Sequence, residues 1–287
     1  MLQTGVPDAA EIIPFEPEPG NAGGGMGGSE FDSSHILKRF KKGVAFFVIS
    51  TSLAINCFQI RESAMFSRII IISGGRLGDA IFFQKRAAAL AGFMTICCDG
   101  GSKYLDKLKI KPDVIIGDMD SVKALQLERY AAGGAKILRY PPDKDATDTQ
   151  LAVEYALGLK PKTVEIWGAW GGRIDHALAN LFLLDLGRKA AIKISLIDEH
   201  CETFIANGEI SFPDAVGQTV SLFAFHYGAT KIILDGFRYS LNGESLKMGN
   251  SRGVSNVITA SPATIRVCSG NLLVVRYWRK DFFPKAV

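Results

Sequence analysis

The chain has 287 residues, of which 47% are hydrophobic and 22% charged, and a formal net charge of +4. This is the composition of a globular protein with a core, long enough for one large domain or two ordinary ones. The basic residues are scattered and form no stripe for nucleic acid. The five cysteines (Cys57, Cys97, Cys98, Cys201, Cys268) show no CxxC pair or metal spacing, which suits reduced thiols in the cytoplasm.

Residues 1–34 are rich in Gly, Pro and acids, include "GNAGGGMGG" and carry no periodicity, so disorder is expected. Lys38, Arg39, Lys41 and Lys42 then precede an apolar run over 43–60, at the lower edge of membrane-spanning length. The run fits a membrane anchor, an export signal with a poor cleavage site at "LAINC", or an upstream extension before a true start at Met65. The extension is preferred, because a self-sufficient pattern begins directly after Met65; the anchor is the lesser alternative.

From Ser67 apolar runs alternate with helical patterns. Strands are expected at "RIIIISGG", "MTICCDGG", "DVIIGD", "AKILRY", "TVEIWGAWGG" and "AIKISLIDEH". Helices are expected over Asp79–Ala91, through Tyr104 and Leu108, and over Val122–Ala132, Asp148–Leu157 and Ile174–Leu186. Such alternation implies a parallel sheet covered on both faces. After that, short apolar runs separated by turns ("TFIA", "TVSLFAF", "KIILDG", "ATIRVCSG", "LLVVRYW") read as an all-β region. The expected fold class is α/β: an N-terminal parallel-sheet nucleotide-binding domain over 65–196, then an all-β sandwich domain over 197–287.

In an open α/β sheet, ligands bind beyond the carboxyl ends of the strands. There the sequence places Asp99-Gly100-Gly101, then Gly117-Asp118-Met119-Asp120, then "PPDKDATD" with Asp143, Asp145 and Asp148, then "GAWGGRIDH" with Arg173, Asp175 and His176. Gathered carboxylates repel one another and call for a cation. Hard oxygen donors without His or Cys select Mg²⁺, which completes its shell with water and phosphate oxygens. Lys144 and Arg173 on the same edge suit phosphate. Together these features point to Mg²⁺-dependent chemistry on a polyphosphate.

Each piece alone has a plainer reading. A DxD is commonly a turn, "DGG" a tight turn, and Thr147 or Asp145 a cap for the helix starting near Asp148. His176 is more often a helix-start residue than a base, and Cys97 and Cys98 end an apolar strand as core. "GAWGG" lacks the GxGxxG spacing, no GxxxxGK[ST] occurs, and "ISGGR" at 72–76 is the better first-strand nucleotide loop.

In this order, "CCDGGSKYL", "PDVIIGDMDS", "KDATDTQLAVEYA", "GAWGGRIDHALANL", "LDGFRYSL" and "SRGVSN" resemble the thiamine pyrophosphokinase (thiamin diphosphokinase) family over roughly residues 65–280. The resemblance implies a homodimer of α/β and β-sandwich domains. It also implies transfer of a pyrophosphoryl group from ATP to the thiamine hydroxyl, giving thiamine diphosphate and AMP. Asp99, Asp118, Asp120 and Asp148 match the family's acidic positions around Mg²⁺. Asp175 matches a position near the thiamine pyrimidine, and Ser255 and Asn256 match the thiamine-contacting pair. Lys144, Asp145 and Thr147 of "KDATD", with Arg173 of "GAWGGRIDH", would lie near ATP. Trp170 and Cys98 depart from the usual smaller residues. Asp118, Asp120 and Asp148 are the catalytic candidates, and either Asp148 or Asp120 would accept the hydroxyl proton. For Trp278, Tyr239 and Phe237, stacking on thiamine is weighed against core packing, and packing is preferred. Rival readings are another Mg²⁺-dependent phosphotransferase or phosphohydrolase, or a membrane-tethered nucleotide sensor using residues 43–60.

Overall fold

The computed structural model describes residues 67–90 and 92–278. The readings placed on residues 1–64, the apolar run over 43–60 among them, lie outside the described residues.

Six parallel strands form the first part: β1 (Arg68–Ile72), β2 (Phe93–Cys98), β3 (Val114–Gly117), β4 (Lys136–Arg139), β5 (Thr163–Trp167) and β6 (Lys193–Ile197). Their order is β6-β5-β1-β2-β3-β4. Successive side chains of a strand point to opposite faces. Accordingly Ile69 and Ile71 join one core with Ile96, Val114 and Ile116, while Ile70 and Ile72 join another with Cys97 and Ile115. A strand buried on both faces has no polar alternation, which is why these runs are continuously apolar.

The helices between the strands are α1 (Ala80–Ala89), α2 (Leu105–Leu108) after a 3₁₀ turn over Asp99–Tyr104, α3 (Ala124–Ala132), α4 (Asp148–Gly158), α5 (Ile174–Phe182) and α6 (Leu184–Lys189). Ala152, Val153 and Ala156 of α4 close one face, and Phe83 of α1 with Tyr130 of α3 the other. The single helix expected over Ile174–Leu186 is two, joined at Leu183.

The antiparallel part holds β7 (Cys201–Phe212), β8 (Thr219–Asp235), β9 (Asn242–Leu246), β10 (Asn256–Val257) and β11 (Ala263–Tyr277). The sheet continues β10-β8-β11-β7-β6, with β9 on β8. β6 is parallel to β5 and antiparallel to β7, so residue 197 marks a change of strand direction within one hydrogen-bonded sheet. Two pairs of expected short strands are each one long strand. "TVSLFAF" and "KIILDG" are the halves of β8, and "ATIRVCSG" and "LLVVRYW" the halves of β11. The glycines that read as turns, Gly228 and Gly270, lie where the β8–β11 register shifts, so they mark a bulge inside a ladder. This region has its own core, with Phe204, Phe212, Leu222, Ile232, Ile265 and Val274.

Candidate active site

The parallel order brings the loops after β1, β2, β3 and β5 side by side at one sheet edge. Gly75 donates to Gly168 O at 2.9 Å, and a Cβ on Gly75 would lie 2.4 Å from that same oxygen, so only glycine lets the β1 and β5 loops approach this closely. Lys103 Nζ donates to Gly74 O at 2.8 Å and Tyr104 Oη to Gly75 O at 2.6 Å, which ties the β1 loop to the turn after β2.

Three expected ligands converge. Carboxylate oxygens of Asp99, Asp118 and Asp120 all lie within 4.8 Å of one another. Asp99 is 1% exposed, and its Oδ2 accepts from the Ser121 N–H at 2.9 Å. Its Oδ1 is buried without a hydrogen-bond partner. Gly117 has φ +152°, and a Cβ there would sit 2.6 Å from Asp99 Cβ and 3.0 Å from Asp148 Oδ2. The junction of strand and acids therefore has no room for a side chain, and Asp148 adjoins the group across it. Lys144 Nζ stands 2.9 Å from Asp148 Oδ1.

Burial pushes the Asp99 carboxyl up to about 6; the Ser121 N–H opposes that shift, and the neighbouring Asp120 and Asp118 add to it. Asp118 is held below the ordinary carboxylate range. Slight burial opposes this, and the Asp120 N–H and the charge of Lys144 outweigh it. The group thus divides into one carboxyl that resists ionisation and one that favours it. A buried oxygen without a partner, among three hard oxygen donors and no His or Cys, fits Mg²⁺.

The remaining expected residues are placed as follows. Thr147 caps α4, its Oγ1 accepting from Gln150 N at 3.2 Å, and Asp145 is exposed. Arg173 and Asp175 are exposed at the start of α5 and form a two-pronged ion pair. Arg173 lowers the Asp175 carboxyl to about 2. Ser255 is exposed in the antiparallel part, whereas Asn256 is 5% exposed. Asn256 Oδ1 accepts from Tyr239 N at 3.0 Å and Val257 N at 2.9 Å, and its Nδ2 donates to Tyr239 O at 2.7 Å. Trp278 stacks on Phe82 with ring centroids 5.9 Å apart, and Phe237 is buried.

Arg76 ends the "ISGGR" loop expected to meet a nucleotide, and its pairing with the Asp198-Glu199-His200 turn after β6 is not foreseen from the sequence. Arg76 Nη2 lies 3.2 Å from Glu199 Oε1 and 3.7 Å from Asp198 Oδ2. The available signals were three consecutive metal-capable residues at a strand end and the arginine of "ISGGR".

The family model described as "Thiamin pyrophosphokinase, catalytic domain" matches residues 91–196, and that described as "Thiamin pyrophosphokinase, vitamin B1 binding domain" matches 208–272. Thiamine pyrophosphokinase of Bacillus subtilis (strain 168) is 32% identical over 180 residues, covering 62% of this chain and 84% of that one. The chain belongs to the thiamine pyrophosphokinase family. A second family member, thiamine pyrophosphokinase 1 of Oryza sativa subsp. japonica, is 28% identical over 207 residues, covering 63% of this chain and 77% of that one. The crystal structure of the Bacillus subtilis family member superposes with a TM-score of 0.65 at 29% identity, over 73% of this chain and 98% of that one. The Candida albicans structure, at 17% identity and TM-score 0.60, shares the fold over 75% of this chain and 91% of that one. Membership carries the activity of an ATP-dependent transferase in thiamine diphosphate biosynthesis. Among the described residues no helix is long and apolar enough to cross a membrane.

Proposed function

We propose that the chain transfers the pyrophosphoryl group of ATP to the hydroxyethyl oxygen of thiamine, in the cytoplasm. The observation that carries this is the carboxylate group of Asp99, Asp118 and Asp120, with its orphaned Asp99 Oδ1, at the open edge of a parallel sheet. Asp99, Asp118, Asp120 and Asp148 would hold Mg²⁺, which when bound supplies charge neutralisation for the phosphate oxygens. Lys144, Asp145, Thr147 and Arg173 form the ATP end, with Thr147 acting through the helix it caps. In the reaction the thiamine oxygen bonds to the β-phosphorus, and the bond from that phosphorus to the α–β bridging oxygen breaks. AMP leaves with the electron pair, and the hydroxyl proton passes to Asp120 or Asp148. Positioning and electrostatics carry such a step.

The thiamine end comprises Asp175 and Ser255, with Asn256 bracing the corner at Tyr239. Seven strands stand between β10 and β3 in the sheet order. At about 4.8 Å per strand that is roughly 40 Å along the sheet. Separation on this scale supports a homodimer in which a second copy brings its Ser255 corner to these carboxylates. Ile174, Leu178 and Phe182, at i, i+4 and i+8 on α5, are 79%, 50% and 60% exposed. They offer that second copy an apolar face beside Asp175. On this reading residues 65–196 are the catalytic domain and 197–287 a thiamine-binding sandwich.

A coupled assay with ATP, Mg²⁺ and thiamine tests the reaction. AMP and thiamine diphosphate are expected in equal amounts, and only with thiamine present. Free phosphate released without an acceptor would replace this reading with a hydrolase.

A further inference from the structure

Arg76 is a cation that the acidic motifs leave out. It follows Gly74-Gly75 at the end of β1, and its side chain lies against Gly171 of the β5 loop. Its N–H donates to Trp170 O at 2.6 Å, which fixes its backbone against the β5 loop. Its Nη2 faces two carboxylates, Glu199 Oε1 at 3.2 Å and Asp198 Oδ2 at 3.7 Å. Those carboxylates are 9% and 10% exposed, while the arginine side chain is 58% exposed. Its acidic contacts use Nη2, which leaves the other guanidinium N–H groups without an acidic partner among the described residues. Asp198, Glu199 and His200 also have the spacing of a cation site, but the guanidinium already lies against two of the three.

Burying two acids to hold an otherwise exposed arginine is costly unless the fixed cation has a task. Its place along the edge suggests one. In sheet order the strand ends present Asp198 and Glu199 after β6, Trp170 and Asp175 after β5, Arg76 after β1, Asp99 after β2, then Asp118 and Asp120 after β3. The Arg76 backbone therefore stands between the acids assigned to Mg²⁺ and the residue assigned to thiamine, and its side chain passes over Gly171 of the β5 loop toward β6. A diphosphate crossing from ATP to thiamine traverses that interval, and a guanidinium fork matches phosphate oxygens.

Resting on the transfer reaction proposed above, we infer that Arg76 is a further substrate-binding residue, holding the diphosphate group both in ATP and in thiamine diphosphate. Asp198 and Glu199 are positioning residues that act through it. Arg76 exchanges no proton and breaks no bond.

The test is calorimetric titration of the full chain in Mg²⁺ with ATP, AMP, thiamine and thiamine diphosphate. Arg76→Ala is expected to weaken ATP and thiamine diphosphate about tenfold and to leave AMP and thiamine within about twofold. Arg76→Lys should recover part of the loss, and Glu199→Gln should show the same ligand selectivity at smaller size. Equal weakening of all four ligands would mean that Arg76 only holds the loop, and no weakening of any would mean that it does not reach the diphosphate; either overturns the inference. With wild-type turnover to AMP and thiamine diphosphate intact, those results sink this inference alone. Absence of wild-type turnover sinks the transfer reaction, and the inference with it.

Discussion

Asp99 and Asn256 are both buried polar side chains, 1% and 5% exposed, and the two ends of the sheet treat them in opposite ways. Asn256 spends its amide on three backbone bonds around Tyr239 and Val257. Asp99 keeps one oxygen unpartnered beside two more carboxylates. Burial of a satisfied group stabilises a corner. Burial of an unsatisfied acid costs stability and leaves capacity for a cation. The antiparallel end thus uses its polar residue to hold shape, and the parallel end keeps a defect that, on the proposed function, serves chemistry.

The sharpest way to break this comparison is at the acids. Asp118→Asn should lower kcat by about 10²- to 10⁴-fold in the coupled assay while thermal unfolding shifts little. Retained turnover would remove the carboxylates from the site. Asp99→Asn should also lose turnover, yet raise the thermal midpoint of the Mg²⁺-free protein. The Asp99 carboxyl sits near 6 in the fold, above its ordinary 3.8, so ionising it opposes folding. Metal-free wild-type protein should therefore lose stability as pH rises from about 4 to 6, and the variant should not.

Asn256→Ala should do the reverse, lowering unfolding stability by about 2 kcal/mol in denaturant titrations, because backbone groups at Tyr239 and Val257 lose their partner. The smallest effect is expected at Asp185, an acid whose partners satisfy it. Arg188 Nε lies 2.5 Å from it, His226 Nε2 2.9 Å and Lys189 Nζ 3.0 Å. Burial alone would push this carboxyl up, but hydrogen bonds from Arg188, His226 and Lys189 outweigh it and hold it well below the usual range. Asp185→Asn should cost about 1 kcal/mol at neutral pH. That difference should shrink as pH falls below about 4, where the wild-type group begins to lose its contribution.

Much of the parallel half was legible from the chain. Runs such as Ile69–Ile72 and Val114–Ile116 announce strands buried on both faces, and each is followed by glycines or acids at a strand end. Their convergence follows from strand order, since all parallel strands end on one side. The antiparallel half was less legible because Gly228 and Gly270 carry the signature of turns, and only pairing with a neighbour strand makes them a bulge. The pairing of Arg76 was not legible because its partners lie 122 and 123 residues away, and no local pattern links a loop arginine to a distant Asp-Glu pair.

The sequence by itself determined the class of elements, the ordered motifs of the family and the acid-rich edge, because periodicity and residue chemistry are local properties. The tertiary structure decided which acids meet, which oxygen of Asp99 is left without a donor, and that the amide of Asn256 makes three backbone bonds at its own corner. Those outcomes depend on packing between segments far apart in the chain, where a few ångströms separate a satisfied group from an orphaned one.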